Sequence, residues 1–212
     1  METERLIRTL AADGAETAMP MRRAWLVAAL MSAPVAAVVF FVLLGPRADI
    51  ADAAGTLRFL FKFVLTLTLF ATAFATLAAL ARPGASVRSV LPMLLLAPGL
   101  LLVSVGFELM VIPADQIAPR WIGTNALTCL VSIPLIGLGP LAIFLFTLRH
   151  GATMQPTLGG AVAGLVAGGL AATFYAAHCL DDSPLFVATW YPLAIAILAL
   201  AGAAAGRFVA RW

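Results

Sequence analysis

The chain is poor in charge and in the residues that usually carry chemistry. Of its 212 residues only 11% are Asp, Glu, Lys or Arg and 63% are hydrophobic, and the mean hydropathy is +1.05. That leaves too little polar surface to cover a water-soluble globule of this size. Two cysteines, Cys129 and Cys179, are too few for a disulfide framework and match no zinc-ligand spacing. With two histidines, His150 and His178, in different loops, a general acid and base with a nucleophile is hard to assemble. Phosphate loops and dinucleotide fingerprints are also lacking, and the sequence argues against an enzyme. Short alternating strands are missing too, which excludes a membrane β-barrel.

What remains is long apolar runs separated by short polar clusters. Six runs are long enough to cross a hydrocarbon core of roughly 30 Å at 1.5 Å per residue. They cover about 24–44, 57–81, 90–112, 121–146, 157–177 and 186–209. Helices are forced by the bilayer, because only they satisfy every backbone group within a segment. The expected fold is all-α, a polytopic bundle of six transmembrane helices behind a cytoplasmic tail of residues 1–23. The fourth run is long and is expected to tilt or kink. The first resembles a signal peptide only in its basic flank, since about 20 apolar residues exceed the usual h-region, although cleavage after Pro46 stays open.

A net charge of +3 and a pI near 9.4 would suggest nucleic acid in a soluble protein. Here the basic residues flank apolar segments, so they read as topology signals and no direct nucleic-acid contact is expected. Arg5, Arg8, Arg22, Arg23, Arg82, Arg88, Arg149, Arg207 and Arg211 lie on one side, nine of the thirteen basic residues. Arg47, Arg58, Lys62 and Arg120 lie on the other, and the positive-inside rule then places both termini in the cytoplasm. Arg58 and Lys62, near the start of the second span, are expected to snorkel to the headgroups rather than pair with Glu108.

With that orientation, Glu108, Asn125, Cys129, His178, Cys179, Asp181 and Asp182 all fall toward the outer face. Ionisable groups inside spans are costly and default to functional candidates. Thiolate, imidazole and carboxylate together suit a soft or borderline metal, and two thiols alone could form a disulfide in an oxidising compartment. Packing of Cys129 in a helix, with His178 and Asp181 as ordinary loop residues, is the plainer alternative. No obligatory cofactor is expected; a heavy-metal ion held transiently at Cys129 and Cys179 is the one candidate.

In the fifth span Gly160, Gly164 and Gly168 recur at every fourth position, and Gly202 and Gly206 repeat the pattern in the sixth. Small residues so spaced let another backbone approach closely, either span six against span five or a second copy in a homodimer. In the tail, Thr3 can cap a short helix whose Leu6, Ile7, Leu10 and Ala11 form an apolar stripe. Such a segment is too short to be stable alone. Arg5 and Arg8 are offset by Glu2, Glu4 and Asp13, a balance that favours a protein partner over the membrane surface.

Several stretches resemble a known family. They are His178-Cys179-Leu180-Asp181-Asp182-Ser183-Pro184-Leu185-Phe186, Trp190-Tyr191 and Gly206-Arg207, with Gly106-Phe107-Glu108-Leu109, Cys129 to Leu135, and Leu6 to Asp13 in the tail. Together they resemble the NrsF family of bacterial membrane-embedded anti-sigma factors. The resemblance implies that an extracytoplasmic-function sigma factor is held at the bacterial inner membrane, with Leu6, Ile7, Leu10, Ala11 and Asp13 contributing to the grip. It further implies that Cys129 and Cys179 respond to heavy-metal or oxidative stress. The tail departs from the family in having Glu4-Arg5 where a more acidic start is expected. Two other classes stay open: a small transporter or channel with Glu108 and Asn125 on its path, and a membrane thiol oxidoreductase, which would want a close Cys pair in one loop.

Overall fold

A computed structural model describes residues 3–5, 7, 20–82, 87–151 and 153–209, with the side chains of 87 and 89 set aside. Among the described residues there is no strand, and six helical stretches are long and apolar enough to cross a membrane. The chain is therefore an all-α, multi-pass membrane protein. Its helices are α1 (Met21–Leu43), α2 (Leu57–Leu80), α3 (Leu91–Val111), α4 (Ala114–Ile122), α5 (Ala126–Arg149), α6 (Pro156–Ala176) and α7 (Pro184–Val209). Pro92 lies in a tight 3₁₀ turn, Leu91–Leu95, that opens α3. Of the tail helix, residues 3–5 and Ile7 are helical and exposed, whereas Leu6, Leu10, Ala11 and Asp13 lie outside the described residues.

The long fourth run is not one helix. Trp121 belongs to α4, and Gly123, at φ +63°, turns the chain before α5 begins at Ala126. Hydropathy does not register this break, because apolar residues continue on both sides of it. The cause is tertiary: the side chains of Phe186 and Asp181 occupy the space where a Cβ at 123 would go, and glycine alone tolerates that backbone angle cheaply. Asn125 is consequently the residue capping α5 rather than one inside a span, and Cys129 lies one turn in. Helix α4 lies across this end of the bundle, with Trp121 and Ile122 exposed. The Trp121 indole donates to Thr189 Oγ1 of α7 at 2.7 Å, and the Trp190 indole donates back to the Trp121 carbonyl at 3.1 Å. Tryptophans so placed suit the membrane interface.

Helix α6 is the hub. It packs on α7, α2, α5 and α1, and its small residues from Gly159 through Ala172 are largely buried. Helix α3 is the opposite case, with only Ala97 and Glu108 buried. The two glycine repeats meet each other within one chain. A Cβ on Gly160 would strike the Gly202 carbonyl, one on Gly164 the backbone of Leu198 and Ala199, and one on Gly206 the Pro156 carbonyl. These faces are thus occupied by mutual packing, which removes them as the surface of a homodimer. Hydroxyls within the spans are satisfied at home: Ser32, Thr66, Thr68, Thr72 and Thr76 each donate to a carbonyl four residues back.

Because the obstacles at Gly164 are backbone atoms that cannot rotate away, Gly164→Val should cost more than the roughly 1–3 kcal/mol usual for an overpacked core. Gly99→Ala on α3, where nothing lies within 4 Å of the added methyl, should leave stability unchanged or slightly raised. Unfolding midpoints of the two variants in detergent separate these outcomes.

Candidate functional site

The loop joining α6 to α7, residues 177–183, is the meeting point of one end of the bundle. Helix α6 ends at Ala176 with carbonyls that lack intrahelical donors and carry the negative end of its dipole. Two cations reach the loop just beyond them. Lys62 Nζ donates to the Cys179 carbonyl at 2.9 Å, and Arg47 Nη1 reaches the same oxygen at 3.3 Å. The Arg47 backbone N–H donates to the Ala177 carbonyl at 3.0 Å, and His178 Nδ1 lies 2.9 Å from the Gly45 carbonyl. Asp182 completes the set, 2.5 Å from Lys62 and 3.0 Å from Arg47. Beneath both cations lies the Phe59 ring, at 5.2 Å from Lys62 and 5.8 Å from Arg47.

Lys62 does not snorkel. Its side chain is 1% exposed, because it shares a helix face with Phe59, Leu65 and Thr66, all buried toward α6. Arg58, half exposed, lies 3.6 Å from Glu108, so that expectation is corrected as well. On the open side of the cluster Arg47 grips Asp49 through two 2.7 Å hydrogen bonds. These bonds hold the Asp49 carboxyl below the usual carboxylate range and raise the already high pKa of the guanidinium.

Two carboxylates cap the neighbouring helices. Asp181 Oδ2 accepts the Thr124 and Asn125 backbone N–H groups at 3.0 and 2.8 Å and the Asn125 side-chain amide at 3.1 Å, at the positive end of α5. Glu108 does the same for α7: its Oε2 accepts Ser183 Oγ at 2.8 Å and the Leu185 N–H at 3.2 Å. Its other oxygen faces Arg120 at 3.4 Å and Arg58 at 3.6 Å. Both acids lie at one end of the bundle, tied to helix ends, and neither they nor Asn125 form a path at mid-membrane depth.

Cys129 and Cys179 are free thiols with no exposed surface. They lie within electrostatic reach of each other, and the buried Tyr175 and Tyr191 are within reach of both. The two phenol rings pack edge to face at 5.8 Å. Tyr175 donates to the Asn125 carbonyl at 3.3 Å, while the Tyr191 hydroxyl is buried beside the Cys179 thiol. The Cys179 thiol contacts the Asp181 carbonyl at 3.6 Å. Burial pushes this thiol above its ordinary range, an effect the nearby Lys62 ammonium only partly offsets.

Of the six thiol, imidazole and carboxylate residues grouped by sequence, Cys129 and Cys179 lie near each other and the Cys179 thiol contacts the Asp181 carbonyl. The structure directs His178 to Gly45, Asp182 to two cations and Glu108 to two arginines. Among the described residues no three His, Cys, Asp or Glu are arranged to hold a metal ion. Sequence reasoning missed Arg47, Tyr175 and Tyr191 as parts of the site. The usable signal was Lys62 itself, an ionisable group inside an apolar run whose buried counter-charge had to lie somewhere.

Lys62→Met would leave Asp182 to Arg47 and remove one donor from the Cys179 carbonyl. Breaking a buried pair typically costs about 3–5 kcal/mol, and the surviving Arg47 contact places this loss at the low end; a lowered unfolding midpoint in detergent is the readout. In a Cys129→Ser background, Cys179 should alkylate slowly at neutral pH, because a raised pKa keeps it protonated. Its rate with a maleimide should level at a higher pH than that of an ordinary thiol of pKa about 8.5.

Comparison with known proteins accounts for the chain along its length. A family model described as NrsF, negative regulator of sigma F, matches residues 10–212. The anti-sigma-F factor NrsF of Caulobacter vibrioides is 35% identical over 218 aligned positions that cover all of both chains. A probable anti-sigma-F factor NrsF of Azospira oryzae is 30% identical, again over the whole of both chains. No solved structure matches. Matched by the family model over nearly all its residues and by these two relatives end to end, the chain belongs to the NrsF family of negative regulators of sigma F.

Proposed function

We propose that this anti-sigma factor holds an extracytoplasmic-function sigma factor at the cytoplasmic face of a bacterial inner membrane and releases it when Cys129 and Cys179 react with a heavy metal or an oxidant. The observation that carries the sensing part is the position of the thiols. Both are wholly buried where the α6–α7 loop meets α5, which supports a reading in which a metal or a disulfide there displaces that loop. A divalent metal would displace one proton from each thiol; an oxidant would take two electrons and two protons as the disulfide forms. Either product disturbs the backbone of Asp181, whose side chain caps α5. A shift of this kind favours release only if the modified thiols fit one helix arrangement better than the other.

Orientation draws on the arginines. At the end opposite the thiols Arg22, Arg23, Arg82, Arg88, Arg149 and Arg207 are all exposed, in line with a cytoplasmic face. The tail, with Leu6, Ile7, Leu10, Ala11 and Asp13, would there contribute to binding the sigma factor, folding its apolar stripe against it.

A sigma-dependent reporter in cells tests both halves. Replacing Cys129 and Cys179 by Ser should leave the reporter repressed but unresponsive to metal or oxidant, and a normal response in that variant overturns the sensing role. Deleting residues 1–18 should release the sigma factor from membranes and raise the reporter without stress, and unchanged retention removes the tail from the binding surface.

A further inference from the structure

The geometry points to a site for an anionic phospholipid in a groove between α2 and α3, one acyl chain lying in the groove and the phosphate resting on Arg58 and Arg120. The groove encloses about 360 Å³ and is almost wholly apolar. Leu57 and Phe61 form one wall, one turn apart on α2, and Phe107 and Val111 form the other on α3. From Val111 at the helix end down to Ser104 it runs about 10 Å at 1.5 Å per residue. That is the depth over which an acyl chain leaves the headgroup region and enters the hydrocarbon. The groove lies beside the least-buried helix of the bundle, where Gly99 and Gly106 have no neighbour within 4 Å, so it faces lipid rather than protein.

Charge selects the occupant. Arg58 and Glu108 stand at the polar end of the groove, and Arg120 meets Glu108 from α4. Both guanidinia approach the same Glu108 oxygen, at 3.6 and 3.4 Å, and Glu108 is also committed to Ser183 and Leu185. Two positive groups therefore share one carboxylate, leaving a net positive charge. With 49% and 32% of their side chains exposed, the arginines keep N–H groups directed away from Glu108. Paired guanidinia present forked donors matched to phosphate oxygens, and their height above an apolar slot fits an anionic phospholipid better than a zwitterionic one with no net charge or a free ion with no tail. This inference is independent of the sigma-factor reading.

Native mass spectrometry of the full chain, with phosphatidylglycerol and phosphatidylcholine of matched acyl chains added in turn, tests the site. Wild type should retain phosphatidylglycerol at least about fivefold more strongly, given the attraction expected of two arginines, and inorganic phosphate in excess should not displace it. Arg58→Gln with Arg120→Gln should erase the preference. Ser104→Phe, which fills the groove and leaves the ion pairs intact, should lower retention of both lipids. Equal retention of the two lipids by wild type overturns the proposal. So does a preference that survives in the arginine pair, unchanged retention after Ser104→Phe, or displacement by phosphate alone.

Discussion

The structure depends on how the loop leaving α6 is neutralised. It lies at the edge of a low-dielectric bundle, where water supplies few partners and an unmet polar group is expensive. Lys62 from α2 and Arg47 from the α1–α2 connection meet at the Cys179 carbonyl, and Asp182 balances them. The same loop sends Asp181 to the start of α5 and receives Glu108 at the start of α7. Helix dipoles of opposite sense thus meet at one short segment, each facing a side chain of the sign it favours. No helix end at this face can move far without uncovering a charge on another.

That arrangement gives the cysteines their significance. A thiol in an apolar core is usually an inert packer. Cys179 is instead the residue whose own carbonyl anchors Lys62, and whose sulfur touches the backbone of Asp181. Below the loop, α6 is locked to α7 through glycine contacts in which backbone meets backbone. Such an interface has little room to absorb a displacement within side-chain rotations.

The two ends of the bundle differ in how their charges are met. At the loop end Arg47, Arg58, Lys62 and Arg120 each have a carboxylate partner. At the other end Arg22, Arg23, Arg82, Arg88, Arg149 and Arg207 are exposed. Paired charges fix geometry, whereas exposed like charges attract a surface of opposite sign. A difference of this kind suits a protein whose one face is a structured assembly and whose other face meets a partner or anionic headgroups. Loosely packed α3 stands apart from both, held by Glu108 at its end and open to lipid along its length.

The sequence by itself determined the solvent, the helical fold and the six apolar stretches. A long apolar run leaves helix as the only way to satisfy its backbone in a membrane, and this held for all six stretches, the fourth as two helices. It also named Cys129, Cys179, Glu108 and Asp181 as residues worth attention, because polar groups near spans are rare and costly. Tertiary structure decided how they are used. Hydropathy averages over faces, so it could not show that Lys62 looks inward with Phe59 and Leu65, nor that Gly123 cuts the fourth run where Phe186 presses on it. Spacing in one chain does not reveal which helix end lies across from which carboxylate, and Glu108 is 75 residues from the Ser183 it binds. Those pairings are set by packing around α6, a long-range property that no local pattern carries.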